Sequence, residues 1–308
     1  MGVGRKTDEV ASSERDLAVV FDRLSEEYSG AYIEHAANLA NVHPGEQVLD
    51  VGTGTGQLAR AIGARLGGSG KVLGVDVSEG MLAYGRARGR KLGLTPHIVK
   101  FARNDAEQLE VADSSVDVCT SLFLLRHLPR PDRAVAEMAR VLRPGGRLVV
   151  GLSSAGPRVS FRATRYRAQR LRALVQERLG VALLAPQFIL AMVEQHLSDE
   201  PRPDGAADAH ELATNTGRRT EELLRAAGFE ELVSSWLGFV HRVDDPQEFW
   251  EISMHFSRAA RYRVLGARPA AAARLKEAFL AECDRVLDRG GALVYPHGSW
   301  FVRARRER

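Results

Sequence analysis

Short apolar runs alternate with helical periodicities over the first half of the chain. Leu17, Val20, Phe21 and Leu24, then Tyr28, Tyr32, Ile33 and Ala36, recur at helical spacing and predict helix over 13–40, after a polar stretch 1–13 expected to fray. Val48 to Val51 predicts a buried strand, and Leu58, Ala61 and Ile62 share one face of the helix after it. The alternation continues with a strand over 71–76, a helix from near Ser78, strands over 98–102 and 116–121, a helix over 134–142 and a strand over 147–152. Arg143-Pro144-Gly145-Gly146 stops the last of these helices. Strand and helix in strict alternation predict an α/β fold on a parallel sheet.

The pattern changes after residue 152. The next helix that suits the sheet is 218–227, and so long an interval exceeds a plain connection. Helical stretches over 158–179 and 186–197 predict a cap inserted after strand five. Seven arginines fall between Arg158 and Arg178 against one acid, Glu177. They suit an anionic ligand such as a phosphorylated substrate, or nucleic acid, or, the plainer reading, a solvated helix face, with Phe161, Ala168, Leu171, Leu174, Val175 and Leu179 as the opposite, buried face. Strands six and seven are expected over 232–240 and 291–302, with helices over 246–261 and 269–287 between them.

Composition narrows the class. With 308 residues and 44% hydrophobic content the chain can bury a proper core, as one large domain or a domain with a sizeable cap. A formal charge of +4 is too mild to indicate nucleic acid, and Trp236, Trp250 and Trp300 interleave with no basic stripe. Cys119 and Cys283 show no pairing motif, so a reduced compartment is expected, with neither a disulfide frame nor a metal site. The charged first thirty or so residues lack a signal-peptide core. The longest apolar stretch, 181–193, is interrupted and too short to span a bilayer, which predicts a cytoplasmic protein.

The candidate chemistry gathers at Asp50-Val51-Gly52-Thr53-Gly54-Thr55-Gly56, between a strand and a helix. Glycines there let a ligand approach the backbone where a Cβ would intrude. The spacing is G-x-G-x-G, and Gln57 stands where a dinucleotide fingerprint needs its third glycine. Asp50 would repel a pyrophosphate and attract an ammonium or sulfonium, a pair worth roughly 4 kcal/mol at ~4 Å and an effective dielectric of ~20 before desolvation. Its plainer role is to cap the turn. Asp76, twenty residues beyond Gly56 at the end of a strand, suits a ribose diol and can also cap the helix from Ser78.

Four stretches in this order, VLDVGTGTG, VLGVDVSEGML, ARNDAEQLEVADSSVDV and LFLLRHLPRPDRAVAEMARVLRPGGRLVV, resemble the class I S-adenosylmethionine-dependent methyltransferases. The nearest likeness is to the small-molecule group (type 11) typified by ubiquinone/menaquinone-biosynthesis C-methyltransferases. The resemblance covers about Val20 to Val150 well and the segment from Thr216 onward more loosely. It implies a Rossmann-like, seven-stranded, mostly parallel sheet with helices on both faces and a helical cap after strand five. It implies lid helices over 1–43, a cofactor core over 44–152, the cap over 153–216, and completion of the sheet with a helical insertion over 217–308.

The cofactor implied is S-adenosyl-L-methionine. By resemblance it is held by Tyr28, Tyr32, Asp50, Gly52, Gly54, Gly56, Asp76, Met81, Asp105, Ala106 and Phe123. Met81 would lie over the adenine, Asp105 would accept from its amino group and the Ala106 N–H would donate to the ring. The bland alternatives are a packed helical face for Tyr28 and Tyr32, core for Met81 and an Asx-turn for Asp105. Tyr28 and His127 are weak catalytic candidates, and His127, in Arg126-His127-Leu128-Pro129, suits a structural hydrogen bond better.

The activity implied is transfer of a methyl group to a small, apolar metabolite by in-line displacement. Alignment alone supplies about 7–11 kcal/mol of such a barrier, so no strong base is required. The competing readings are an S-adenosylmethionine-binding protein with a non-methylating role, cyclisation or regulation, and an RNA methyltransferase that uses the arginine run. A homo-oligomer is left open.

Overall fold

The computed structural model describes residues 3–154, 161–200 and 216–308. Helix α1 (Val3–Ala40) leads into β1 (Gln47–Val51), α2 (Gln57–Arg65), β2 (Lys71–Asp76), α3 (Glu79–Lys91) and β3 (Val99–Arg103). After β4 (Val116–Leu122) come a 3-10 turn (Leu125–His127), α4 (Pro131–Val141) and β5 (Leu142–Ser153). Then follow α5 (Phe161–Arg178), β6 (Ala182–Leu184), α6 (Gln187–His196), α7 (Thr216–Ala226) and β7 (Phe229–Val243). The chain closes with α8 (Pro246–Phe256), α9 (Arg258–Gly266), α10 (Pro269–Asp288) and β8 (Ala292–Arg306).

The sheet runs β3-β2-β1-β4-β5-β8-β6, with β7 also paired to β8. The pairs β1–β2, β2–β3, β1–β4 and β4–β5 are parallel. Strand β8 opposes its larger neighbours. Glu307 N–H donates to the Gly228 carbonyl just before β7, Ser154 N–H donates to the Gly298 carbonyl, and Arg306 reaches the Leu142 carbonyl at the start of β5. The seven expected strands are joined by an eighth, β6, which pairs Ala182–Leu184 with Ala292–Val294. Inner strands covered on both faces read as unbroken apolar runs, and Leu148, Val149 and Val150 of β5 are fully buried accordingly. Chain order reverses between β2 and β4 on either side of β1, which opens a crevice at the carboxyl ends of these strands.

Three local expectations shift. Helix α1 begins at Val3, ten residues ahead of the expected start, because propagation adds a hydrogen bond for each residue fixed. Strand β5 begins at Leu142, and Arg143–Gly146 forms an irregularity in its register with β4, where Val116 faces Leu142 and Val118 faces Arg147. The helix expected over 246–261 is broken at Ser257, whose extended backbone ends α8 and whose hydroxyl accepts from Ala260 N–H to cap α9.

The chain divides into two compact units, Met1–Ser153 with Asn215–Ser235 and Trp300–Arg308, and Ser154–Thr214 with Trp236–Ser299. The first has its core around Leu49, Val51, Cys119, Met138, Leu148 and Val302. In the second, Phe279 stacks on Phe249 and meets Phe188 and Trp250. Both cysteines are buried and free, and burial pushes both thiols well up from their ordinary range.

Helix α5 departs from expectation. Its buried residues are Ala163, Tyr166 and Ala173, while Leu171, Val175 and Leu179 are 63%, 50% and 72% exposed and Ala168 also faces solvent. Among the described residues of the expected inner face, Leu174 is partly buried. The Tyr166 ring meets Trp236 edge-on at 5.1 Å, and the larger aromatic contact sets the rotation of the helix. Arg158, the side chains of Phe161 and Arg162, and residues 201–215 of the expected cap lie outside the described residues.

Candidate functional site

The glycine bend is fastened to β2 before it turns into α2. Gly52 and Thr53 N–H both donate to the Val75 carbonyl, at 2.8 and 2.9 Å. Gly56 caps α2 in the left-handed region (φ 82°), and a Cβ there would stand 2.3 Å from the Phe101 ring, so no other residue fits without displacing it.

Asp50 lies beneath this bend, 2% exposed. Its two oxygens accept from Thr53 Oγ1 and Thr120 Oγ1, each at 2.6 Å. It ties the bend to β4 through these two hydroxyls and is not among the residues that line the cleft above. Burial raises its pKa to about 6, opposed by the two hydroxyls and reinforced by the carboxylate of Asp76.

That shift has a signed consequence. Between about pH 4 and about pH 6 the folded protein holds a proton the unfolded chain has released. The contribution of Asp50 is thus fully present below about pH 4 and lost as pH rises through about 6, about 3 kcal/mol at most. His255 and His297, each pushed down to about 3 by burial, act in the opposite sense as pH falls below about 6.5. Urea unfolding of wild type and Asp50→Asn isolates the aspartate. The variant should gain relative to wild type by up to about 3 kcal/mol from pH 4 to pH 7, and a flat difference would reject this burial.

Above the bend is a small open cleft lined by Val51, Gly52, Val75, Asp76, Val77, Asn104, Asp105, Ala106, Leu124 and Leu128. Asp76 accepts Gly54 N–H on one oxygen at 2.9 Å and Ser78 N–H on the other at 3.0 Å. Each oxygen keeps a further lone pair, so capping the helix and holding a diol are compatible. Asp105 accepts Glu107 N–H at 2.9 Å in an Asx-turn and still borders the cleft. Asn104 beside it accepts Glu110 N–H through its side-chain oxygen.

Of the anticipated residues, Gly52, Asp76, Asp105 and Ala106 meet in this cleft, while Gly54 and Gly56 build the bend beside it. Met81 is half-buried in the first turn of α3, its N–H directed to Ser78 Oγ, and is not among the lining residues. Phe123 follows β4 with a left-handed backbone (φ 61°), and its ring meets Tyr32 edge-on at 6.1 Å. Tyr28 and Tyr32 are 6% and 2% exposed, and Tyr32 also packs on Phe301 at 5.9 Å. His127 is exposed in the 3-10 turn, whereas its neighbours Leu124 and Leu128 reach the cleft.

Residue pairing revealed a further anchor. Asp22 of α1, 1% exposed, holds Arg60 of α2 at 3.0 Å and accepts from Gln57 Nε2 at 3.1 Å. Arg60 in turn donates to the Thr55 carbonyl within the glycine bend. Asp22 follows Phe21 within the helical run of α1, and no spacing in the sequence points to its partners. The spacing of four between Leu124 and Leu128, just past a strand end, was the available signal for those two.

A profile described as a methyltransferase domain matches residues 49–150. The ubiquinone/menaquinone biosynthesis C-methyltransferase UbiE of Bordetella avium is 40% identical over 151 residues, 48% of this chain and 58% of that protein. Its counterpart in Ectopseudomonas mendocina is 35% identical over 150 residues. Residues 49–150 are a class I S-adenosylmethionine-dependent methyltransferase domain.

The methyltransferase domain's cofactor is S-adenosyl-L-methionine. The chain spans about 58% of the length of the curated relatives it matches. A putative methyltransferase from Bacillus halodurans shares the fold over 90% of this chain and 99% of that one, with TM-score 0.52 and 20% identity. The [4+2]-cyclase SpnF shares it over 90% of this chain and 81% of that one, with TM-score 0.52 and 23% identity. The cleft's chemistry suits the cofactor: two carboxylates with spare acceptor positions stand beside an Ala106 N–H that has no intramolecular partner among the described residues, and Leu124 and Leu128 add apolar wall. Among the described residues no group of acids, histidines and cysteines suits a metal ion, and no helix is long and apolar enough to cross a membrane.

Proposed function

We propose that the chain is a methyltransferase that alkylates a small, flat and largely apolar acceptor. The observation that carries this reading is the cleft at the carboxyl ends of β1, β2 and β4, with Asp76 and Asp105 on its border. Asp76 would accept from both ribose hydroxyls, Asp105 from the adenine amino group, and Ala106 N–H would donate to the ring. Gly52 and Gly54 let the cofactor's tail approach the backbone, and Tyr28, Tyr32, Met81 and Phe123 exclude water around it. When bound, S-adenosylmethionine supplies an electrophilic methyl group and its own leaving group. The chain's task is then alignment and dehydration, worth about 7–11 kcal/mol without a strong base. Neither Tyr28, which is buried in a packed helix face, nor the exposed His127 is needed as a catalyst.

The second compact unit, which includes the cap, is rich in aromatic and histidine rings. It contains a run of flat rings on β7, β8 and α8: Phe239, His241, His297, Tyr295 and Phe256. His241 stacks on His297 at 4.9 Å, His297 on Tyr295 at 4.6 Å and Tyr295 on Phe256 at 4.8 Å. All but Tyr295 are half-buried, and burial next to His241 keeps His297 neutral, with a pKa of about 3. A flat acceptor is supported by the quinone-biosynthesis C-methyltransferases that the chain resembles over about half its length.

The test is incubation with methyl-labelled S-adenosylmethionine and a panel of hydroxylated aromatics and quinols. Label transferred to an acceptor is the expected result, together with thermal protection by the cofactor and by its demethylated product but not by NAD. Tight cofactor binding with a rearranged, unmethylated product would overturn the reading in favour of the non-methylating alternative.

A further inference from the structure

Helix α5 carries an exposed apolar stripe between two rows of arginines, and we propose that this face docks the protein onto an anionic phospholipid surface. At about 100° per residue, Leu171, Val175 and Ala168 fall within an arc of about 60°, and Leu179, one residue past the end of α5, extends the apolar stripe. Arg167 and Arg178 border that arc on one side, and Arg172 and Arg165 border it on the other. Tyr166, buried against Trp236, lies about 180° from the centre of the stripe, so the helix is anchored by one face and presents the other. Leu171, Val175 and Leu179 are 63%, 50% and 72% exposed. No carboxylate among the described residues lies within ion-pair distance of Arg165, Arg172 or Arg178, and all three are exposed. Across Phe161–Arg178 the sequence has six arginines and one acid.

Apolar side chains flanked by cations on one helical face match the boundary between hydrocarbon and anionic head groups. There the leucines enter the acyl edge and the arginine stems lie along it with their guanidinium groups outward. No helix among the described residues is built to span the bilayer, so the chain would lie on the surface. Nucleic acid would use the arginines but leaves Leu171, Val175 and Leu179 without a partner, and the stripe offers no ring for stacking. A second copy of this chain would set arginines against arginines across a two-fold interface. The inference rests on α5 alone and does not depend on the proposed methyl transfer.

Sedimentation with vesicles of phosphatidylcholine and phosphatidylglycerol in equal parts, against phosphatidylcholine alone, tests it. The full chain should partition onto the anionic vesicles, weakly or not at all onto the neutral ones, and less as salt rises. Leu171→Ser with Val175→Ser should reduce partitioning by roughly ten-fold or more without changing the melting temperature, since both positions are exposed. Because Cys119 and Cys283 are buried, a fluorophore on Leu171→Cys labels one place, and its emission should shift to the blue on anionic vesicles. Partitioning that survives the double substitution would overturn the proposal. So would absence of binding to anionic vesicles, a fluorophore shift produced by duplex RNA instead, or one produced by self-association.

Discussion

Asp76→Ala is expected to weaken S-adenosylmethionine binding by between about ten- and a hundred-fold, measured by calorimetry. A hydrogen bond to a charged acceptor is worth roughly 1.5–3 kcal/mol, so the expected loss corresponds to about one such bond net, water recovering part of the two-bond diol contact. The substitution also releases Gly54 and Ser78 N–H, so part of the loss would come from a loosened bend. Asp76→Asn separates the two effects, because its carbonyl oxygen retains one of those backbone contacts. A melt of each variant keeps stability apart from affinity. Unchanged affinity in Asp76→Ala would remove the ribose from this carboxylate.

Asp22→Ala should cost about 3–5 kcal/mol of stability in urea unfolding, because Arg60 would stay buried at 7% exposure with its charge partner gone. Arg88, 3.8 Å from the other oxygen of Asp22, would lose a partner too, but it is exposed enough for water to take that place. Asp22→Asn should cost less, about 1–2 kcal/mol, since a carbonyl oxygen still accepts from Gln57 and Arg60. The cofactor should then bind Asp22→Asn more weakly as well, because Arg60 holds the Thr55 carbonyl inside the glycine bend. A loss below about 1 kcal/mol for Asp22→Ala would show that this pair is not the anchor between α1 and the bend.

Much of the site was legible because it is local. Asp50 to Gln57 contains a strand end, a bend and a helix start within one short segment, and Asp76 sits at a spacing set by one helix and one turn. Asp105 and Ala106 follow β3 in the same way. Asp50 was harder, because its burial depends on Thr120, seventy residues away, and on pairing of β1 with β4. The competing roles offered for it differ only in whether its carboxylate faces outward, which no local pattern reports.

Residue order and periodicity were enough to determine a parallel α/β sheet, its glycine bend and the acids at its strand ends. Each follows from backbone rules that act over a few residues. Tertiary structure alone decided which face of α5 is buried, that Asp50 lies beneath the bend, and that Asp22 meets Arg60. All three hang on partners distant in the chain, Trp236, Thr120 and Arg60 respectively, and contacts between distant segments are settled by competition for buried area and charge pairing, which sequence spacing does not encode.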